Sequence, residues 1–305
     1  LFSNTFYQKR VEYTSLISVV PPLDLAYCAA LVRKRIPQLY VSILDANALK
    51  LGLIEQLKHI KNLKPDILIF SAATHSINAV KYICQGLEGE KIIKILIGNH
   101  SSALPKETLE LITELDIVVY GEPEITVFEI VQSLFERKEL SLVRGIYYRK
   151  NDAILNTEPR ALLKDLDELV FPARDLLPNQ LYFSPYSSGV TAIQTTRGCP
   201  GQCIFCDSHL INGQVYRERN PDRVVEEIGE CFRKYKIKYA EIFILALLFA
   251  PAFMFRISLA KATAFSLIIL FLGIYFIFRR RYWLLGLISM LYVWSYGGFV
   301  LIFLI

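Results

Sequence analysis

The chain has 305 residues, room for about two domains of ordinary size. Hydrophobic residues make up 53% of it, the mean hydropathy is +0.35 and the formal net charge is +5. That charge is accounted for by Arg256, Lys261, Arg279, Arg280 and Arg281, in a tail with no Asp or Glu after Phe243, so the remainder balances to zero and carries no electrostatic footprint for nucleic acid. Six Cys in a chain this long, with no secretory pattern in 1–18, argue against a disulfide scaffold and for a reducing compartment. Leu1 in place of Met marks a processed chain or a fragment.

Apolar runs at 39–44, 66–70, 92–97 and 116–120 are dominated by Ile, Val and Leu with little polar alternation, as in parallel strands covered on both faces. Amphipathic patterns at 23–35, 48–62, 76–85, 106–114 and 124–136 separate them. The alternation predicts a doubly wound, Rossmann-like α/β domain over 1–145. Only 14–20 is left to serve as a strand ahead of the first helix, and it runs straight into Pro21, so the first strand is expected to be missing. Ligands of such sheets sit at the carboxyl ends of the strands. Ser71-Ala72-Ala73-Thr74, Gly98-Asn99-His100-Ser101-Ser102 and Gly121-Glu122 stand at those ends. Small and hydroxyl residues there let backbone amides approach a phosphate or a flat cofactor. Nucleotide, flavin and corrin all fit, and neither G-x-G-x-x-G nor G-x-x-x-x-G-K-[ST] is present.

A linker over 146–188 follows. Asn151-Asp152 is a turn signal that predicts a hairpin between 145–148 and 153–156. A strand at 189–195 then leads into Thr195–His209, TTRGCPGQCIFCDSH, where Cys199, Cys203 and Cys206 form a C-x3-C-x2-C array. Gly198, Pro200 and Gly201 supply turn geometry for a tight loop. Soft thiolates select iron–sulfur clusters, zinc or copper(I). Three Cys would leave one iron of a [4Fe–4S] cube without a protein ligand, open to a substrate or cofactor. Zinc closed by His209 is the other reading, although zinc ligands usually come as two separated pairs. Cys28, Cys84 and Cys231 read as small core side chains. Asn220 and Pro221 start a helix over 222–235, with Val225, Ile228 and Phe232 on one face, and 237–243 reads as the next strand. Arg217, Arg219 and Arg223 read as solvated surface, with an acidic substrate as the other reading.

The cysteine array resembles the signature of radical S-adenosylmethionine enzymes. The surrounding Arg197-Gly198-Cys199-Pro200 and Phe205 before Cys206 are typical of the cobalamin-dependent branch. The resemblance implies that Cys199, Cys203 and Cys206 hold a [4Fe–4S] cluster, that the open iron binds S-adenosylmethionine, and that an electron from the cluster cleaves it to a 5′-deoxyadenosyl radical. It also implies that Phe205 shields the cluster from water. Pro21-Pro22-Leu23-Asp24-Leu25-Ala26-Tyr27 is similar to the PPLGLAYLAA element of that branch's cobalamin-binding domain. Ile97-Gly98-Asn99-His100 with Ala103-Leu104-Pro105 resembles its GGPH–ALP segment, and Gly121-Glu122-Pro123-Glu124 its GE-x-E segment. Cobalamin contacts are therefore expected from Ser71, Thr74, Gly98, His100, Gly121 and Glu122. His100 either faces the corrin or hydrogen-bonds within its loop. The base-off motif D-x-H-x-x-G is absent, so no His–cobalt bond is assigned. The segment 166–175 resembles the LDELPFPARDLL linker ahead of the radical domain and is expected to wrap one domain against the other, with its acids in solvent.

After Phe243 the resemblance stops, and only about the first one and a half of six strand–helix repeats are present, so the radical domain over 189–243 is expected to be truncated. The tail over 244–305 contains apolar runs at 242–260, 262–278 and 282–305, against roughly 20 residues per span. With Arg279-Arg280-Arg281 as a cytoplasmic turn, the expectation is transmembrane helices, and cytoplasmic domains anchored at the cytoplasmic face of the membrane. A buried core hairpin is one other reading of the tail, and a foreign segment joined near Phe243 by a gene fusion, frameshift or assembly error is another. Two functions remain. One is a cobalamin-dependent radical enzyme transferring methyl to an unactivated carbon of a small-molecule or lipid-like substrate, fed by a reductant such as ferredoxin or flavodoxin, with no catalytic residue assigned beyond the cluster ligands. The other is a catalytically incomplete, membrane-anchored cobalamin- or cluster-binding remnant.

Overall fold

The computed structural model describes residues 1–4, 18–151, 153–184, 187–201, 203–235 and 284. Parallel strands need a crossover on every return, and the chain supplies a helix for each. The order is β1 (Phe2–Asn4), α1 (Leu23–Arg35), β2 (Ile43–Asp45), α2 (Leu53–Leu63), β3 (Ile67–Ser71), α3 (Ile77–Gly86), β4 (Ile93–Ile97), α4 (Asn99–Ala103), α5 (Pro105–Leu111), β5 (Ile117–Val119) and α6 (Pro123–Phe135). An antiparallel hairpin, β6 (Ile146–Lys150) and β7 (Ala153–Asn156), completes a seven-stranded sheet ordered β2-β1-β3-β4-β5-β6-β7. The first five strands run parallel. The order 2-1-3-4-5 is the flavodoxin-like doubly wound arrangement, with its switch point between β1 and β3.

Side-chain alternation along each strand builds two cores. Ile69, Ile95, Ile97, Ile117 and Val119 face α1 and α6, packing on Leu25, Cys28, Val32, Val127 and Ile130. Leu68, Phe70, Leu96 and Val118 point the other way, onto Ile60, Ile77, Val80, Ile83 and Leu109. The β-period of two puts neighbouring residues on opposite faces, so strands covered on both sides are largely apolar along their length. Cys28, Cys84 and Cys231 are all buried. Burial pushes the thiols of Cys28 and Cys231 up and that of Cys84 up to about 12, as expected of packing residues.

The first strand, expected to be missing, is present: Phe2–Asn4 fills the position between β2 and β3. Three residues with a polar middle leave no periodic signal, yet Ser3 is fully buried. The helix expected over 48–62 begins at Leu53, because Asp45 accepts from the amides of Asn47 and Ala48 to form a turn, and Glu55 accepts from the Gly52 amide to start the helix.

Beyond the sheet come β8 (Phe183–Ser184), β9 (Ser187–Ser188), β10 (Thr196–Arg197), α7 (Ser208–Asn212), β11 (Arg217–Glu218) and α8 (Pro221–Tyr235). All described elements fall in one unit, Leu1–Lys236. The strand expected at 189–195 is not formed. The Ala192 and Gln194 carbonyls are satisfied by the guanidiniums of Arg174 (2.7 Å) and Arg219 (3.0 Å). Only Thr196–Arg197 pairs, antiparallel to Arg217–Glu218. The Asn220 side chain accepts from the Asp222 amide at 2.8 Å, which caps α8.

The expectation of transmembrane helices is corrected. Among the described residues no helix is long and apolar enough to cross a membrane. The tail over 244–305, apart from residue 284, lies outside the described residues, as does the second strand expected at 237–243.

Candidate functional site

A cavity of about 410 Å³ opens at the carboxyl ends of β1 and β3, the switch point of the sheet. Asn4, Pro21, Asp24, Asn47, Ser71, Gly98 and Asn99 are among the residues that line it. Loops leaving parallel strands at this edge present backbone amides and short side chains, which is why the sheet binds ligands there. Gly98 has φ +113°, and a Cβ on it would stand 2.8 Å from the Ala72 carbonyl oxygen, so the β4 loop passes close over the β3 loop only because this residue has no side chain. Asp24 accepts from the Leu25 amide at 2.8 Å and from the Ser71 hydroxyl. Burial is the main cause that raises its carboxyl above the ordinary carboxylate range, with a smaller push from Glu124.

Of the residues expected to touch a cofactor, Ser71 and Gly98 line this cavity and Thr74, His100, Gly121 and Glu122 do not. His100 is buried, its Nδ1 lies 3.1 Å from the Thr74 hydroxyl in the loop after β3, and burial lowers its pKa. The Gly121 amide donates to the Ser102 hydroxyl. Glu122 is buried in ion pairs with Arg197 (3.2 Å) and Arg217 (2.9 Å) and accepts from the Leu163 amide (2.8 Å).

The cysteine loop reaches the cavity's rim. Asn99, a lining residue, donates to the Asp207 carboxylate at 2.9 Å, and Asp207 follows Cys206 directly. Cys199 and Cys206 are exposed and Cys203 half-buried, while Phe205 is 88% exposed. Gly198 has φ +85°, and a Cβ there would meet the Val215 carbonyl oxygen at 1.9 Å, so the turn into the loop admits only glycine. Among the described residues no three His, Cys, Asp or Glu are arranged to hold a metal ion. The donor set, three accessible thiols within eight residues, suits an iron–sulfur cluster with one open iron.

Sequence reasoning missed the charges behind the loop. Arg197 pairs with Glu124 (2.6 Å) as well as Glu122, and its Nε donates to the Gln194 side chain (2.9 Å). Burial works against its charge, but Glu124 and Glu122 outweigh it and hold the guanidinium above its ordinary value. Of the arginines expected on the solvated surface, Arg217 is half-buried and Arg219 buried, both in ion pairs; Arg219 meets Glu227 at 2.5 Å, and Arg174 of the linker meets the same carboxylate at 2.5 Å. The linker acids also make contacts: Asp167 accepts from the Asn220 amide (2.7 Å), and Asp175 pairs with Arg33 (2.6 Å). Arg217, Arg219 and Arg223, close together around the start of α8, were the local signal; the carboxylates of Glu122 and Glu124 that Arg197 and Arg217 meet lie 73 to 95 residues away and leave none.

Residues 13–131 match the B12 binding domain family. An uncharacterized methyltransferase of Pyrococcus horikoshii is 34% identical over 226 residues, spanning 72% of this chain and 48% of that protein. Among solved structures, the cobalamin-dependent S-adenosylmethionine radical enzyme OxsB, with aqua-cobalamin and S-adenosylmethionine bound, covers 78% of this chain and 32% of its own at a TM-score of 0.60 and 18% identity. The radical S-adenosylmethionine methyltransferase TsrM of Kitasatospora setae, with cobalamin and a [4Fe–4S] cluster bound, covers 76% and 45% at a TM-score of 0.55 and 14% identity. The fold is thus shared with both enzymes. The chain spans about half the length of the curated relative and less of the solved ones.

Proposed function

We propose that this chain, a cobalamin-dependent radical S-adenosylmethionine protein by its B12-binding domain and its relatives, binds cobalamin at the carboxyl edge of its sheet and a [4Fe–4S] cluster on Cys199, Cys203 and Cys206. When bound, the two groups supply reductive cleavage of S-adenosylmethionine and methyl transfer. The observation that carries the reading is the Asn99–Asp207 hydrogen bond, which sets the cysteine loop at the rim of the switch-point cavity. The chain's own residues then have separable tasks. Ser71, Asp24 and Gly98 shape the cavity floor. The three thiols, accessible from solvent, are the ligands. Phe205, 88% exposed beside Cys206, would shield the cluster from water. Methyl transfer to an unactivated carbon of a small molecule is the finer form of the proposal; the remnant that binds cobalamin without cleaving S-adenosylmethionine is the competing form.

The test is an EPR spectrum of anaerobically reconstituted, reduced full chain, with and without S-adenosylmethionine, beside an aquacobalamin titration. A [4Fe–4S] signal that changes on adding S-adenosylmethionine supports the radical form, and a signal that ignores it selects the remnant. Zinc in place of iron overturns the reading of the loop. Cys203→Ala is expected to abolish cluster loading and leave corrinoid binding intact; equal loss of both would mean that the two sites are not separate.

A further inference from the structure

Three segments far apart in the chain converge on one guanidinium. Tyr27 lies in the first turns of α1, Glu122 and Glu124 at the start of α6, and Arg197 two residues before Cys199. Arg197 takes both oxygens of Glu124, at 2.6 and 3.1 Å, and one of Glu122 at 3.2 Å. Its guanidinium carbon sits 5.7 Å from the centre of the Tyr27 ring. Arg197 and Glu124 are buried almost completely, and Glu122 nearly so. Ion pairs this deep do little for net stability, because desolvation offsets the attraction, but removing one partner strands the other. What such a pair supplies is register: a bidentate fork fixes both distance and angle.

We infer that Glu122 and Glu124 are positioning residues that fix the cysteine loop on the B12-binding domain through Arg197, so that this clamp sets the loop's place beside the cavity. The β10–β11 pair that carries Arg197 has only two residues per strand, too few to hold the loop in place unaided. Other anchors include Arg217, tied to the same Glu122, and the Asn99–Asp207 contact at the rim. Gly198, with no room for a Cβ, transmits the position of Arg197 directly into the turn that bears Cys199. The inference uses the proposed cofactor sites for its consequence, but the clamp itself rests on the ion pairs alone.

Two readouts separate these. The first needs no cofactor. Trypsin cuts after arginine only where the backbone opens locally, and Arg174 of the linker is an equally buried internal reference that touches neither Glu122 nor Glu124. In the full chain, Glu124→Gln is expected to raise cleavage after Arg197 by at least about tenfold while cleavage after Arg174 stays at the parent rate. Glu124→Asp, which keeps the charge, should fall between parent and Gln. Unchanged cleavage at Arg197, or equal acceleration at Arg197 and Arg174, overturns the clamp. The second readout is distance. With Cys199 and Cys203 replaced by Ser and a fluorophore on Cys206, aquacobalamin quenches the label in proportion to its closeness; Cys28, Cys84 and Cys231 are buried and escape labelling. Glu124→Gln should bind aquacobalamin with the parent's affinity and lose most of that quenching. Equal quenching in both proteins overturns the registering role. No aquacobalamin binding by the parent sinks the proposed function instead, and the trypsin result then still decides the clamp.

Discussion

At the level of single residues the cavity floor is the most informative part of the molecule. Asp24 stands where the resembled PPLGLAYLAA element has a glycine, and the chain accommodates its carboxyl between the Leu25 amide and the Ser71 hydroxyl. Burial raises its pKa in the folded protein, so the folded state keeps the proton to higher pH than the unfolded chain, whose Asp titrates near about pH 4. The associated stability is present in acid and is lost as pH rises through the folded value. Asp24→Asn is therefore expected to gain on the parent as the buffer moves from mildly acidic to alkaline, read as the difference of urea midpoints. A difference that is the same at both ends would mean that Asp24 is ionised throughout. Gly98 makes a second prediction. Its φ of +113° and the 2.8 Å approach to the Ala72 carbonyl should make Gly98→Ala cost about 1–3 kcal/mol and weaken corrinoid binding. An unchanged urea midpoint would show that the loop has room to shift.

The secondary-structure elements divide into those the sequence announces and those it hides. Helix α1 spans the residues its pattern predicts, 23–35, with Pro22 ahead of it and Arg33, Lys34 and Arg35 in its last turn. β3 and β4 are legible because both faces are covered and the runs are apolar apart from Lys94 and the terminal Ser71. β1 is illegible: Phe2-Ser3-Asn4 has no period, and its place inside the sheet comes from its partners at Ile43–Asp45 and Ile67–Ser71. The strand expected at 189–195 fails for a related reason. Its apolar character is real, but two arginines take its carbonyls, and no local pattern reports where a distant guanidinium will sit. The site splits the same way. Cysteine spacing and the small residues after β3 and β4 are local and readable, whereas the diversion of Glu122 from the cavity to Arg197 is a long-range event. The α8 cap is a local feature that can be tested alone. Asn220→Ala should cost about 1 kcal/mol and speed amide exchange in the first turn of α8, leaving β3 and β4 protected. Exchange that rises equally in the sheet would mean that the cap supports the whole unit.

For the molecule as a whole, the question is what joins the cysteine-bearing segment to the sheet domain. Glu227 of α8 is 1% exposed and is the shared partner of Arg174 from the linker and Arg219 from the end of β11. Those arginines in turn hold the Ala192 and Gln194 carbonyls, the Thr191 hydroxyl and, by stacking of Arg219 and Arg223, the Phe171 ring. One carboxylate thus ties linker, extended segment and helix together, while the two apolar cores of the sheet contain none of these residues. Glu227→Gln leaves two buried guanidiniums facing a neutral amide, and breaking a buried pair in this way costs about 3–5 kcal/mol. If the join is local, that loss loosens α8 and the linker while the sheet persists. Three buried thiols report on the two regions: Cys231 in α8 beside Arg174, Cys28 in α1 and Cys84 in α3. Thiol labelling followed peptide by peptide is expected to show Cys231 reacting faster in Glu227→Gln with Cys28 and Cys84 still protected. If all three accelerate together, the sheet and the cysteine segment unfold as one cooperative body, and the network is part of a single core.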